Sequence, residues 1–241
     1  MIRRITILCV STVAVCACVA QGHVQQSVQL RFSGYGAGSD VELCGEEFQG
    51  GRYTAGVYML DTIRVPGQAE SLPSDPLAGF CIELNQSIPH TEREYDIVLL
   101  EDAYVPSLDE PVGPEKAACI SELFGRYYDP AWNGTGVHSE QHSTEAEAFA
   151  IAVWEIVYEE RSERWKVIFD AEEVPGRFGA RRYQTTLADT WLSSLDGTGP
   201  MAELRALVNE DRQDYVVLIP EPASLVLLAA GAVLLRRSRG G

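Results

Sequence analysis

Basic side chains are scarce in this chain. Of its 241 residues only 19 are Lys or Arg against 35 Asp or Glu, for a formal charge of −16. Arg3, Arg4, Arg236, Arg237 and Arg239 sit in the two end segments, so residues 21–219 hold 14 basic and 34 acidic side chains, a net −20. A surface of that sign repels phosphate backbones, which excludes sequence-independent nucleic-acid binding.

The motifs of common chemistries are also missing. His138 and His142 are four residues apart, but the acid between them is Glu140, so the His-Glu-x-x-His pattern is absent and the pair reads as a loop. No Asp-x-Asp-x-Asp-Gly run accompanies Glu101-Asp102, Asp109-Glu110 or Glu172-Glu173, which read as solvated faces. Gly34-Tyr35-Gly36-Ala37-Gly38 lacks the Gly-x-Gly-x-x-Gly spacing and reads as a flexible lead-in. Cys81 could be combined with His90 or His142 as nucleophile and base, yet nothing local marks a hydrolase elbow. No metal site, cofactor or catalytic residue is therefore expected. No internal repeat is apparent. What is present is apolar content: hydrophobic residues make up 46% of the chain, too many for a disordered acidic tail and enough for one sizeable core.

Both ends carry distinct signals. Arg3 and Arg4 precede an apolar stretch from Ile5 to Val15, and the small residues Cys18 and Ala20 suit cleavage before Gln21, so residues 1–20 read as a signal peptide. At the other end Pro220-Glu221-Pro222 precedes the apolar residues 223–235 and the basic cluster Arg236, Arg237 and Arg239. That stretch of 13 residues would span only ~20 Å as a helix, short of the ~30 Å hydrocarbon core. The tripartite tail over 220–241 resembles the PEP-CTERM sorting signal of exported bacterial proteins. That resemblance implies an exosortase-type protease as partner, a C-terminal helix in transient contact with the membrane, and delivery to the cell envelope, cell surface or extracellular matrix.

Between the ends, Cys44, Cys81 and Cys119 remain. An oxidising compartment permits one disulfide and leaves one thiol over, with the pairing open. Alternation over 53–59, 80–84 and 95–100 predicts strands, with Phe80, Ile82 and Leu84 on one face and Cys81 and Glu83 on the other. Pro114 opens a helix that runs toward Asp129-Pro130. Thr144 and Glu147 form a capping box for a helix over 146–159, in which Glu155 is the one charge between Ala148 and Tyr158, so burial on most sides is expected. A strand over 165–169, a helix carrying Leu187, Trp191 and Leu195, a short helix from Pro200 to Val208 and a closing strand from Tyr215 complete the reading. The fold class expected is α+β, a β-rich barrel or sandwich with a helical segment.

Three stretches in this domain are similar to one family: Gly79-Phe80-Cys81-Ile82-Glu83-Leu84, the run 147–156 ending Ala152-Val153-Trp154-Glu155-Ile156, and Gln213-Asp214-Tyr215-Val216-Val217. Over about 51–217 they resemble thioester-domain-like exported proteins, related to the Cys-Gln thioester adhesins of bacterial surfaces. The resemblance implies that the cysteine is Cys81, that its acyl partner is a glutamine on the helix, and that the resulting thioester is captured by an amine. The helix position falls on Ala150, which has no carboxamide; Gln141 lies before the capped segment, and Gln184 or Gln213 would need a shifted register. The expectation is a degenerate thioester position at Cys81. The protein then reads as a non-enzymatic surface or matrix protein whose partner is exopolysaccharide or envelope material. A covalent adhesin acting through Cys81 and an exported hydrolase are the alternatives.

Overall fold

The computed structural model describes residues 26–44, 51–63, 76–159, 165–167, 178–181 and 185–218. Nine strands and three α-helices are found among them: β1 (Gln26–Cys44), β2 (Arg52–Ile63), β3 (Leu77–Cys81), β4 (Arg93–Leu99), β5 (Tyr104–Val105), β6 (Glu110–Pro111), α1 (Pro114–Tyr127), α2 (Glu140–Tyr158), β7 (Gly179–Arg181), α3 (Thr185–Ser193), β8 (Leu204–Asn209) and β9 (Arg212–Leu218). Seven strands form one antiparallel sheet in the order β2-β3-β9-β8-β4-β1-β7, with β1 also paired to β2; β5 and β6 form a separate two-stranded ribbon.

The α+β class holds, but the expected β-rich barrel or sandwich is corrected to this single seven-stranded sheet with three helices. No second sheet of comparable size faces the first among the described residues. The opposing layer is helical, because the Ala146–Tyr158 part of α2 is almost wholly apolar and so must be covered on every side. Every residue from Ala146 to Tyr158 is buried, and α2 packs against β1, β2 and β3 as well as α1 and α3. Phe80 is the contact point: its ring meets Phe149 at 4.7 Å, Phe124 at 5.7 Å and Trp132 at 6.5 Å between centroids.

Local signals explain several boundaries. Pro114 occupies the first turn of α1, where its missing N–H costs nothing. The cap of α2 is Ser139, whose hydroxyl accepts from the His142 N–H at 3.1 Å, so the helix starts before the Thr144 box and includes Gln141. The glycine-rich segment expected as a flexible lead-in is the middle of β1. A Cβ at Gly38 would stand 2.3 Å from the Ala55 carbonyl oxygen, and one at Gly56 would stand 2.3 Å from that of Ala37. Glycine there lets two backbones approach closely while φ is +147° and +154°. The helix expected from Pro200 to Val208 is replaced by β8, since Ala206 is held between Val98 of β4 and Val216 of β9. Residues 165–167 carry no strand, and the rest of the strand expected there lies outside the described residues.

The expected membrane helix is corrected too. Among the described residues no helix is long and apolar enough to cross a membrane, so the C-terminal sorting helix and the transient membrane partner have no structural support. The signal peptide at 1–20 and the segment 220–241, with Pro220, Glu221, Pro222, Arg236, Arg237 and Arg239, lie outside the described residues.

Candidate functional site

Cys81 ends β3, where it pairs with Tyr215 of β9. Directly paired residues of antiparallel strands project to the same side, and so does the residue two positions along. Gln213 therefore shares the face of Cys81 and Tyr215. Beyond the ladder the chains stay joined: the Ile82 N–H donates to the Asp214 carbonyl at 3.0 Å and the Gln213 N–H to that of Ser87 at 3.1 Å. This register brings the Gln213 Nε2 to 2.6 Å from the Cys81 Sγ. An ordinary N–H···O bond is ~2.9 Å, and sulfur is larger than oxygen, so the carboxamide is pressed against the thiol.

The pair is dry. Cys81 is 1% exposed and Gln213 is 6% exposed. Burial pushes the Cys81 thiol up to about 12, more than the Gln213 side chain and the Glu83 carbonyl lower it. The thiol is thus neutral at physiological pH, and its proton points to the Glu83 carbonyl at 3.3 Å. Gln213 Oε1 is buried and has no hydrogen-bond partner among the described residues. An unsatisfied amide oxygen costs ~1–3 kcal/mol, so this carboxamide is held at an energetic disadvantage.

The surroundings fix the backbone of both residues. Trp154 of α2 donates its indole N–H to the Cys81 carbonyl at 2.9 Å, and Tyr95 donates its hydroxyl to the Gln213 carbonyl at 3.2 Å. Glu83, 1% exposed, accepts from the Asn85 N–H at 2.8 Å and from the Ser107 hydroxyl at 3.0 Å, tying the turn after Cys81 to the β5–β6 ribbon. Asp214 is buried beside it and accepts from the Asn209 N–H at 2.7 Å; burial first, and Glu83 in addition, raises its carboxyl to about 7. Such an arrangement can perform one balanced acyl transfer. The thiol sulfur bonds to the Gln213 carboxamide carbon, the C–N bond breaks, and the thiol proton leaves on the nitrogen as ammonia.

Ala150 lies buried within α2, and the carboxamide next to Cys81 comes from β9 instead. The helix motif contributes Trp154 rather than an acyl donor. Gln141 is engaged with Glu145 at 2.9 Å, and Gln184 lies outside the described residues. No disulfide joins any two of Cys44, Cys81 and Cys119, all three of which are buried. The His138 Nε2 meets the Gly134 carbonyl at 2.9 Å while His142 stands in the first turn of α2. No group of three or more metal-ligating side chains occurs among the described residues. Sequence reasoning passed over Tyr58, Tyr95 and Glu83; the signal for Glu83 was a carboxylate two residues after a strand cysteine.

No family model matches the chain, and no curated protein matches it. The exosortase partner expected from the tail is accordingly withdrawn, along with the sorting-signal identification on which it rested. Among solved structures the chain is similar to a pilus-presented adhesin, Spy0125 (Cpa), at 12% identity and a TM-score of 0.39, covering 80% of this chain and 67% of that one.

Proposed function

We propose that Cys81 and Gln213 form an internal thioester and that the domain built from β1 to β9 is a covalent adhesion module of an exported surface protein. The observation that carries this is the 2.6 Å contact between a buried thiol and a buried carboxamide. Bond formation relieves the site: it removes an amide whose oxygen has no partner and replaces it with a thioester carbonyl, a weaker acceptor. The product is an electrophile that an amine opens, bonding to the Gln213 carbonyl carbon while the amine proton passes to the Cys81 sulfur. The protein acts once rather than turning over, so the role is attachment and not catalysis.

The test is intact-mass measurement of the purified protein. Expected is the loss of one ammonia, reversed by a methylamine adduct on Gln213, with both absent from Cys81→Ala. That variant also separates the thioester from cyclisation of an N-terminal glutamine. An unmodified mass with a titratable Cys81 thiol would instead favour a non-covalent partner such as exopolysaccharide.

A further inference from the structure

A bond buried this deeply needs a route for its nucleophile, and a stack of aromatic rings leads from the site toward the surface. Tyr58 of β2 pairs with Gly79, two residues before Cys81 on the same face. A Cβ at Gly79 would lie 3.2 Å from both the Tyr215 Cβ and the Val217 Cγ1, so glycine keeps this face flat beside the thiol. The Tyr58 ring lies 5.5 Å from that of Tyr215, which itself pairs with Cys81. Outside Tyr58 stands Tyr35, ring to ring at 5.3 Å, and Phe32 packs on Tyr35 at 5.0 Å. Exposure rises along this stack: Tyr215 is 0% exposed, Tyr58 3% and Tyr35 40%.

The backbone under the outer ring is irregular. Register shifts in the β1–β2 ladder fall between Phe32 and Gly34 and between Tyr35 and Gly38, so Tyr35 sits between two interruptions. Tyr35 itself stays paired with Tyr58, but irregularity on both sides loosens the strand that carries its half-exposed ring. At the far end of the Tyr58 side chain its hydroxyl donates to the Thr54 carbonyl at 2.8 Å, and the Thr54 hydroxyl donates to the exposed Asp40 carboxylate at 3.1 Å. A carboxylate therefore stands beside the aromatic stack, on a domain of net charge −20 over 21–219.

We infer that the nucleophile enters between Tyr35 and Tyr58, with Tyr35 shielding the bond from water and Asp40 drawing in a cationic primary amine of the lysine side-chain type. This rests on the thioester reading above. An alkylammonium is attracted by the acidic surface and by aromatic faces, whereas an amine that carries an acidic group is repelled. After losing its proton to water at the entrance, the amine opens the thioester in the transfer already described.

The experiment follows adduct formation by mass spectrometry, with cadaverine, whose reactive form is a cation, and taurine, whose reactive free-base form is an anion, and follows hydrolysis in buffer alone. Tyr35→Ala is expected to speed hydrolysis and both adduct reactions by about fivefold, the worth of one aromatic pair contact, while Tyr35→Phe keeps the wild-type rates. Asp40→Asn is expected to reduce the preference for cadaverine over taurine by about threefold, as for an exposed charge pair, leaving hydrolysis unchanged. Tyr104→Ala, an exposed tyrosine of the ribbon, serves as the control without effect. Unchanged hydrolysis in Tyr35→Ala, or an unchanged amine preference in Asp40→Asn, overturns the entrance while the thioester stands. A wild-type protein that never loses ammonia overturns both.

Discussion

At the scale of single residues, the site depends on groups that hold backbone atoms rather than on groups that react. Trp154 is the clearest case. Its indole N–H is the hydrogen-bond link from α2 to the Cys81 carbonyl, and the ring is fully buried. Trp154→Phe keeps most of the apolar volume but removes the donor, leaving a buried carbonyl without its partner. The expected cost is about 1–3 kcal/mol in chemical denaturation, together with a smaller ammonia-depleted fraction by mass, because the thiol loses its fixed position. Equal ammonia loss in wild type and variant would show that Trp154 serves packing alone.

Among the elements, one buried carboxylate joins helix to loop. Glu122 of α1 accepts from the Gly197 and Gly199 N–H groups, each at 2.8 Å, and from Arg126 at 2.7 Å. Burial pushes this carboxyl up, but the Gly197 and Gly199 N–H groups and Arg126 outweigh it and hold the group below its ordinary value. The loop between α3 and β8 is thereby tied to α1, which sets where β8 begins. Glu122→Ala strands all of these donors and is expected to destabilise the protein by about 2–3 kcal/mol, measured as a shift in denaturant midpoint. A midpoint within error of wild type would mean the loop is held by other contacts. The elements most legible in sequence were α1 and α2, because a first-turn proline and a long apolar run are local patterns, although α2 starts at the Ser139 cap, before the Thr144 box. β8 was misread as a helix because Leu204, Ala206 and Leu207 fit either period, and the decision came from pairing with β4 and β9. β1 was missed because glycines at a backbone crossing look like linker when their neighbour is unknown.

For the whole molecule, buried carboxyls link stability to pH. Asp214 is raised to about 7 and Glu155 to about 9, in both cases chiefly by burial. An unfolded carboxyl titrates near ~4, so the folded state binds more protons above that value and stability falls as pH rises toward the folded pKa. Each group contributes at most ~1.4 kcal/mol per pH unit within its window. The thermal midpoint is expected to drop between about pH 5 and about pH 8, and Asp214→Asn should flatten the part below neutrality. A midpoint that rises over this range would contradict the burial of these groups. The lowered carboxyls, Glu122 among them, act only at acid pH and do not mask the effect.

Composition and local periodicity fix the acidity of the domain, the burial of most of α2, the lack of any recognised metal or hydrolase motif and a strand at Cys81, although β3 ends at Cys81 instead of running on to Leu84. These follow from composition and from periods of two and 3.6, which need no knowledge of distant residues. That the group beside Cys81 is Gln213, 132 residues away, follows from the folded chain alone. That choice belongs to the register of β3 against β9, in which a slip of one residue would turn Gln213 to the opposite face. Strand register is set by packing over both faces of the sheet at once, so the run from Gln213 to Val217 marked a strand and a candidate carboxamide without showing that it pairs with β3.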